Sequence, residues 1–431
     1  MKKPQINIVG GGLAGLSAAY TLLKHGGSDV TLFEARSMVG GRVQSRMVHE
    51  RNIDFGGFLI YPWYTQCNAL IHKLGIDTAL VKTPLSDIYY FLDDSGVALT
   101  ENDVPLSVAD GLMLWSKSFL KILQTSSLAE PDLLLFGGTT ISEYLQLTLG
   151  TEGHAGLYET FFDTVGQGYC YGPIDQAKTA FMAPIVRQMK FYGDIRSTSI
   201  FPQGSQTLVD HLVREITALG GTIHTNTPIT GIDGTVLQSK TQRFESDAII
   251  FAQTASSDLY GSILPNVPTE CWYTHFVTVA VELAATPVVG NTKNWGAAFY
   301  APKPEMSAQA VSVMNSSSLY GAELDGCIVM NIVLRNQKAS TITPKKISDL
   351  VRSELYRLFP NIHNERIVDS VHWTETMPVS QETFVQAVRD AHGKNGYYFA
   401  GDFLGAPSME TAITTGQTAA TDLISALRIS A

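Results

Sequence analysis

The sequence predicts an α/β protein in two units: a parallel-sheet unit gathered from several stretches of the chain, and an α+β unit set into it. Three observations carry that expectation. A short apolar strand runs into the glycine turn Gly10-Gly11-Gly12-Leu13-Ala14-Gly15 and on into a helix. A second strand ends at Glu34 and leads to a glycine pair, Gly40-Gly41. Near the other end, a strand closes on Gly401-Asp402 and a last helix follows.

The length, 431 residues, exceeds what one core usually organises, and 45% hydrophobic content supplies two. With 30 basic against 40 acidic residues, the net charge of -10 argues against nucleic acid or an anionic membrane as the main partner. Cys67, Cys170, Cys271 and Cys327 form no CxxC pair, so they read as reduced thiols rather than as a metal site or a redox dithiol. Met1-Lys2-Lys3-Pro4 leads directly into a strand, and no apolar run approaches the ~20 residues needed to span a bilayer. The expectation is cytoplasmic residence, with attachment to one leaflet left open.

The first strand, Gln5 to Val9, meets the glycine turn, after which Leu13, Leu16, Ala19, Tyr20 and Leu23 recur at helical spacing until Gly26-Gly27. Gly10 permits the bend, Gly12 lets backbone amides approach a pyrophosphate, and Gly15 lets the helix lie close on the strand. The helix N-terminus adds partial positive charge. Such a turn alone also occurs for purely structural reasons. The next strand, Val30 to Phe33, ends in Glu34, nineteen residues past Gly15, where an acid can take ribose hydroxyls and repel a 2′-phosphate. Together these elements read as a Rossmann-type unit for FAD or NAD rather than NADP.

Beyond Glu34 the chain reads Arg36-Ser37-Met38-Val39-Gly40-Gly41-Arg42-Val43-Gln44-Ser45. This resembles the E-x-R-x-x-x-G-G-R-x-x-S signature of the flavin-containing amine oxidase and phytoene desaturase superfamily. The resemblance implies FAD, with Gly40 and Gly41 passing close to the cofactor and Arg36 and Arg42 facing its phosphates, as the forked guanidinium suits. The bland alternative makes both arginines exposed loop charges. Asp54-Phe55-Gly56-Gly57 is similar to the superfamily's D-x-G stretch beside the flavin, which brings in Gly57.

At the other end, Gly401-Asp402 and Ser408-Met409-Glu410-Thr411-Ala412-Ile413-Thr414-Thr415-Gly416 resemble the superfamily's G-D and S-M-E-G-A-x-x-S-G stretches. The resemblance puts Asp402 on the ribityl chain and the helix N-terminus, with Ser408 and Met409, on the pyrimidine edge. A helix dipole there stabilises the anionic edge of reduced flavin. Thr411 stands where a glycine is usual, a departure that matters if the backbone needs positive φ. The segment from Phe201 through Leu208, Leu212, Ile216 and Thr222 to Ile232 resembles the return to the nucleotide unit, with Ile229 over the adenine. The cofactor set is completed by Leu13, Ala14 and Ala35. No cysteine lies beyond Cys327, so the FAD is expected to be non-covalent.

The FAD-binding unit is therefore expected from residues 1–84, 200–265 and 385–431, and the substrate unit from 85–199 and 266–384. The latter should carry alternating strands at Phe276 to Leu283 and Cys327 to Leu334, an amphipathic helix at Lys345 to Leu358, and a helical part between Val104 and Leu123. That stretch, with Leu112, Leu114, Trp115, Lys117, Phe119, Leu120 and Lys121, is either core or a peripheral membrane contact.

Catalytic side chains are not assigned, because flavin oxidation asks the protein mainly to orient a substrate in a dry pocket. Asp175 and His275 are ionisable but lack an evident partner; Met182, Met189, Phe191, Tyr192 and Trp272 are cavity candidates by location, with core packing the commoner role. Amine oxidases of the superfamily often place an aromatic just before the Met-Glu pair, as a wall of an amine cage. This chain has Gly405-Ala406-Pro407-Ser408 there. The expectation is FAD-dependent desaturation or dehydrogenation of an apolar, isoprenoid-like molecule, with oxygen or a quinone as electron acceptor. The alternatives are a peroxide-producing amine oxidase, a protoporphyrinogen-type oxidase, and a flavin-free escort module of the same fold.

Overall fold

A computed structural model describes residues 3–83, 87–91, 99–100, 121, 124, 127–149, 174–192, 195–255, 258–264, 271–300, 308–334 and 342–429. Cys170 and the stretch holding Leu112, Leu114, Trp115, Lys117, Phe119, Leu120 and Leu123 lie outside these residues.

The first sheet has five parallel strands in the order Tyr397–Phe399, Ala248–Phe251, Gln5–Val9, Asp29–Phe33 and Thr222–His224. Parallel strands need crossovers that cover both faces, so they read as continuous apolar runs. Ile6, Ile8, Leu32, Ile249 and Ile250 are accordingly fully buried. The helix Leu13–His25 follows the first strand and packs against the last helix, Met409–Leu427, so the two ends of the chain meet. Ser17 Oγ donates to the Ile413 carbonyl across that contact at 3.2 Å.

A second, mixed sheet of seven strands runs Arg366–Trp373, His275–Glu282, Cys327–Leu334, Ala308–Asn315, Ala297–Tyr300, Ile88–Phe91 and Leu99–Thr100. All neighbours are antiparallel except Ala297–Tyr300 with Ile88–Phe91. The expected strands and helix are present, the helix as Pro344–Leu358 with Thr343 accepting from the Lys346 amide as its cap. The two central strands are buried along almost their whole length rather than on alternate residues. One face, with Val277, Val279 and Met330, packs under Val351 and Leu355 of that helix. The other, with Phe276, Ala280 and Val329, packs on Ile53 and Phe55 of the amino-terminal segment.

A three-stranded antiparallel sheet, Ile229–Asp233, Val236–Ser239 and Arg243–Phe244, lies between strands of the first sheet in the chain. Asp54 joins separate stretches: its carboxylate accepts from Ser45 Oγ at 2.6 Å, the Ser205 amide at 2.8 Å and Tyr320 Oη at 3.0 Å. Among the described residues no helix is long and apolar enough to cross a membrane. Cys67, Cys271 and Cys327 are free and buried, and burial pushes the Cys271 thiol up to about 12, where it is unreactive.

Candidate cofactor and active site

The glycine turn sits where the first strand becomes the first helix, and the Gly10 amide donates to the Phe33 carbonyl at 2.8 Å. A Cβ on Gly15 would lie 1.9 Å from the Gly10 carbonyl oxygen, so only glycine lets the helix return so close to the turn. Leu13 and Ala14 are buried in the core beneath it. Glu34 is only 7% exposed; one carboxylate oxygen accepts from the Gly11 amide at 2.8 Å and the other from the Arg36 amide at 2.9 Å. A carboxylate has about four lone-pair sites, so room remains for hydroxyl donors. The Ala35 and Arg36 side chains are exposed.

The second glycine run is brought against the first by the Gly40 amide, which donates to the Gly11 carbonyl at 2.8 Å. Gly41, at φ +63°, faces Gly12 so closely that a Cβ on Gly41 would lie 3.0 Å from the Gly12 Cα. Bare backbone thus meets bare backbone beside the positive end of a helix. Arg42 projects from this run and donates to both Asp402 oxygens, at 2.9 and 2.6 Å, and to the Thr376 carbonyl. Its guanidinium also lies over the Tyr273 ring, 5.8 Å from the centroid.

At the carboxyl end, Thr415 Oγ1 accepts from the Gly401 amide at 3.0 Å and ties the Gly-Asp turn to the last helix. Ser408 caps that helix, accepting from the Thr411 amide at 3.0 Å. Thr411 lies within the helix and is not among the residues with positive φ, so the departure from glycine carries no strain. Its hydroxyl donates instead to the Ala406 carbonyl at 2.5 Å. Met409 borders Gly57, where a Cβ would lie 3.6 Å from Met409 Cγ. The Glu410 carboxylate accepts from Thr65 Oγ1 at 3.0 Å and from the Gln66 and Cys67 amides, both at 2.8 Å, and so caps the helix Thr65–Lys73. Ile229 is half-buried at the start of the three-stranded sheet, in the apolar group around Phe33.

A sequence profile described as flavin containing amine oxidoreductase matches residues 13–424. The chain belongs to that family. Its fold is that of the flavin-containing amine oxidases. It is 23% identical over 249 residues to a polyenoic fatty acid isomerase from Ptilota filicina, a match covering 53% of this chain and 50% of that protein. The chain thus matches half the length of that relative. Among solved structures, it resembles a fatty acid isomerase from P. acnes, described as CLA-producing, with a TM-score of 0.74 at 16% identity over 98% of this chain and 99% of that one. It also resembles a protein titled protoporphyrinogen oxidase from Exiguobacterium sp. 255-15, with a TM-score of 0.72 at 17% identity over 99% and 100%.

The donor set fits a dinucleotide flavin. The paired glycine backbones form a cradle that side chains would fill, and Gln253 supplies a second observation. Its side-chain oxygen and nitrogen are both buried without a partner among the described residues. The residue follows the buried strand Ala248–Phe251 and touches the turn: a Cβ on Gly10 would lie 2.6 Å from its backbone nitrogen. A buried amide left unpaired costs about 1–3 kcal/mol, so a polar group crossing this sheet edge would relieve it.

Gln253, Thr415 and the capping role of Glu410 were not singled out by the sequence. Gln253 is legible only as the residue that ends a buried strand. The carboxylate of Glu410 meets its partners across more than 340 residues, a separation that no local pattern reports.

The other ionisable and cavity candidates scatter. Asp175 is exposed. His275 opens the strand His275–Glu282, 6.5 Å in ring centroids from His372, and burial pushes the basicity of both down. Met182 borders a small pocket with Phe181 and Pro407, whereas Phe191 and Trp272 are surface residues at 44% and 38% exposure. Met189 packs on the core around the first sheet. Tyr192 lines a cavity of about 640 Å³ between the helices Thr65–Lys73, Thr179–Tyr192 and Met409–Leu427.

Proposed function

We propose that the chain binds FAD non-covalently and uses it to desaturate or dehydrogenate an apolar, isoprenoid-like small molecule. One observation carries the reading. The place just ahead of Met409 and Glu410, where amine oxidases of the superfamily often have a cage aromatic, is occupied by backbone. Gly405, Ala406 and Pro407 are buried, the Ala406 amide donates to the Leu128 carbonyl at 2.7 Å, and a Cβ on Gly405 would lie 2.1 Å from that oxygen. A ring there would have to displace the crossing segment. Without it this wall offers a substrate ammonium no aromatic face, the interaction that makes such cages bind cations.

In this reading Glu34 takes the ribose hydroxyls, Gly12 and Gly41 let the diphosphate lie against backbone amides, and the N-terminus of the last helix faces the pyrimidine edge. Bound FAD supplies the hydride acceptor. The chain orients the substrate carbon and keeps water out, which needs no acid or base side chain. That two of the similar proteins are named fatty acid isomerases supports an apolar chain as substrate. We take the FAD unit to comprise residues 1–84, 200–265 and 385–431 and the substrate unit the remainder, with oxygen or a quinone as electron acceptor.

Anaerobic mixing of the FAD-loaded protein with a panel of polyenes, isoprenoids and polyamines tests the reading. Bleaching of the flavin band by the apolar compounds is expected. Bleaching by polyamines alone, with peroxide released in air, would replace it by amine oxidation.

A further inference from the structure

The cavity of about 640 Å³ is within the size range of small-molecule sites. Its walls are apolar at Pro62, Trp63, Leu128 and Ala129, and among the described residues it carries one cation, Arg187, and one carboxylate, Glu410. These two do not neutralise each other. Glu410 spends both oxygens on Thr65, Gln66 and Cys67. Arg187 Nε is buried with no hydrogen-bond acceptor among the described residues. The guanidinium carbon lies 5.8 and 5.9 Å from the ring centroids of Phe191 and Tyr192, cation–π contacts that hold it near the rings without consuming its donors.

A guanidinium with no counter-ion among the described residues, beside apolar walls, suits an anionic head on an apolar tail. We infer that Arg187 binds the carboxylate end of the substrate, which makes the substrate class an apolar carboxylic acid; this rests on the reading of the chain as a flavin oxidoreductase of apolar molecules. A carboxylate matches one planar fork with two parallel bonds. A diphosphate carries more charge than this single cation balances. The apolar chain would then run along Trp63 and Leu128, beside the last helix whose N-terminus is the candidate flavin edge.

Equilibrium binding to the FAD-loaded protein, followed by calorimetry, tests the assignment with octadecenoate, its methyl ester and farnesyl diphosphate. The acid should bind about 10- to 100-fold tighter than the ester, the usual range for a hydrogen bond to a charged group. Arg187→Gln should remove that preference, bringing the acid down to the ester, while Arg187→Lys, which keeps the charge without the fork, should fall between. Equal affinities for acid and ester on the unaltered protein would overturn the assignment. So would an acid preference that survives Arg187→Gln, or tighter binding of the diphosphate than of the acid. Should Arg187→Gln fail to fold, the acid-to-ester ratio of the unaltered protein and of Arg187→Lys decides. Flavin reduction by apolar compounds with no acid preference sinks the arginine alone; acid preference with reduction only by polyamines sinks the oxidation reading alone.

Discussion

Glu34 ties the first glycine turn to the end of the second strand, because it accepts from the Gly11 and Arg36 amides at once. Glu34→Ala leaves the buried Gly11 amide without its acceptor and should cost about 1–3 kcal/mol of stability, besides removing the proposed ribose contact. Glu34→Gln keeps the shape but turns one acceptor into a donor facing an N–H. Both variants should retain at least tenfold less FAD after dialysis, read from the flavin-to-protein absorbance ratio; full retention would remove Glu34 from the cofactor site. Asp54 makes a second case at this scale, where pH is the probe. Burial pushes its carboxyl up from 3.8 to about 6, against the hydrogen bonds from Ser45, Ser205 and Tyr320. The folded state therefore holds this proton more tightly than the unfolded chain, and the group's contribution to stability is greatest below pH ~4 and falls as pH rises through about 6. The change amounts to about 3 kcal/mol between those limits. Asp54→Asn retains an oxygen for Ser45 and Ser205 and can donate to the Tyr320 hydroxyl, so it should fold. Urea unfolding between pH 4 and 8 should show the unaltered protein losing about that much relative to Asp54→Asn, and parallel profiles would exclude the assigned ionisation.

At the scale of elements, the contact between the first and last helices is an extensive one. Gly416 makes it possible: a Cβ there would lie 2.2 Å from the Ala14 carbonyl and 2.3 Å from Ser17 Oγ. Alanine is the better helix former by about 1 kcal/mol. Packing should win over propensity, so Gly416→Ala is expected to lower stability by about 1–3 kcal/mol, whereas a gain in the denaturation midpoint would show that the helices can part without cost. This contact also shows what the sequence could and could not convey. The strand, turn and helix at Gly10–Gly15 were legible because local sterics impose glycine there. The strands at Cys327 and Phe276 and the helix before Leu358 were legible because burial imposes their apolar runs. Their burial on both faces was not, since the covering layers come from Val351 and Leu355 on one side and Phe55 on the other. Arg187 and Gln253 were equally silent: nothing in a lone arginine on an apolar helix or a glutamine after a strand reveals that the arginine's Nε and both polar atoms of the glutamine end buried without a partner among the described residues.

For the molecule as a whole, the decisive link is between Arg42 and Asp402, 360 residues apart. The superfamily resemblance sends Arg42 to the cofactor phosphates and Asp402 to the ribityl chain; the structure pairs them with each other through two bonds. Both statements hold if the pair is exchanged when FAD is loaded, the guanidinium turning to phosphate oxygens and the carboxylate to a hydroxyl. A salt bridge with one partner nearly buried leaves an uncompensated charge when broken, so Arg42→Ala and Asp402→Ala should each cost about 3 kcal/mol in the FAD-free protein, and together less than the sum. The partly exposed guanidinium, at 29%, places the coupling itself nearer 1–2 kcal/mol. Excess FAD at a hundred times its dissociation constant should add about 2.7 kcal/mol to the unaltered protein. The same double-mutant cycle, repeated with FAD bound, should then show the coupling fall toward zero while each single variant loses affinity for FAD. Coupling that persists unchanged in the loaded protein would mean that Arg42 stays on Asp402 and that backbone amides, with Gly12 and Gly41 at their centre, hold the diphosphate without it.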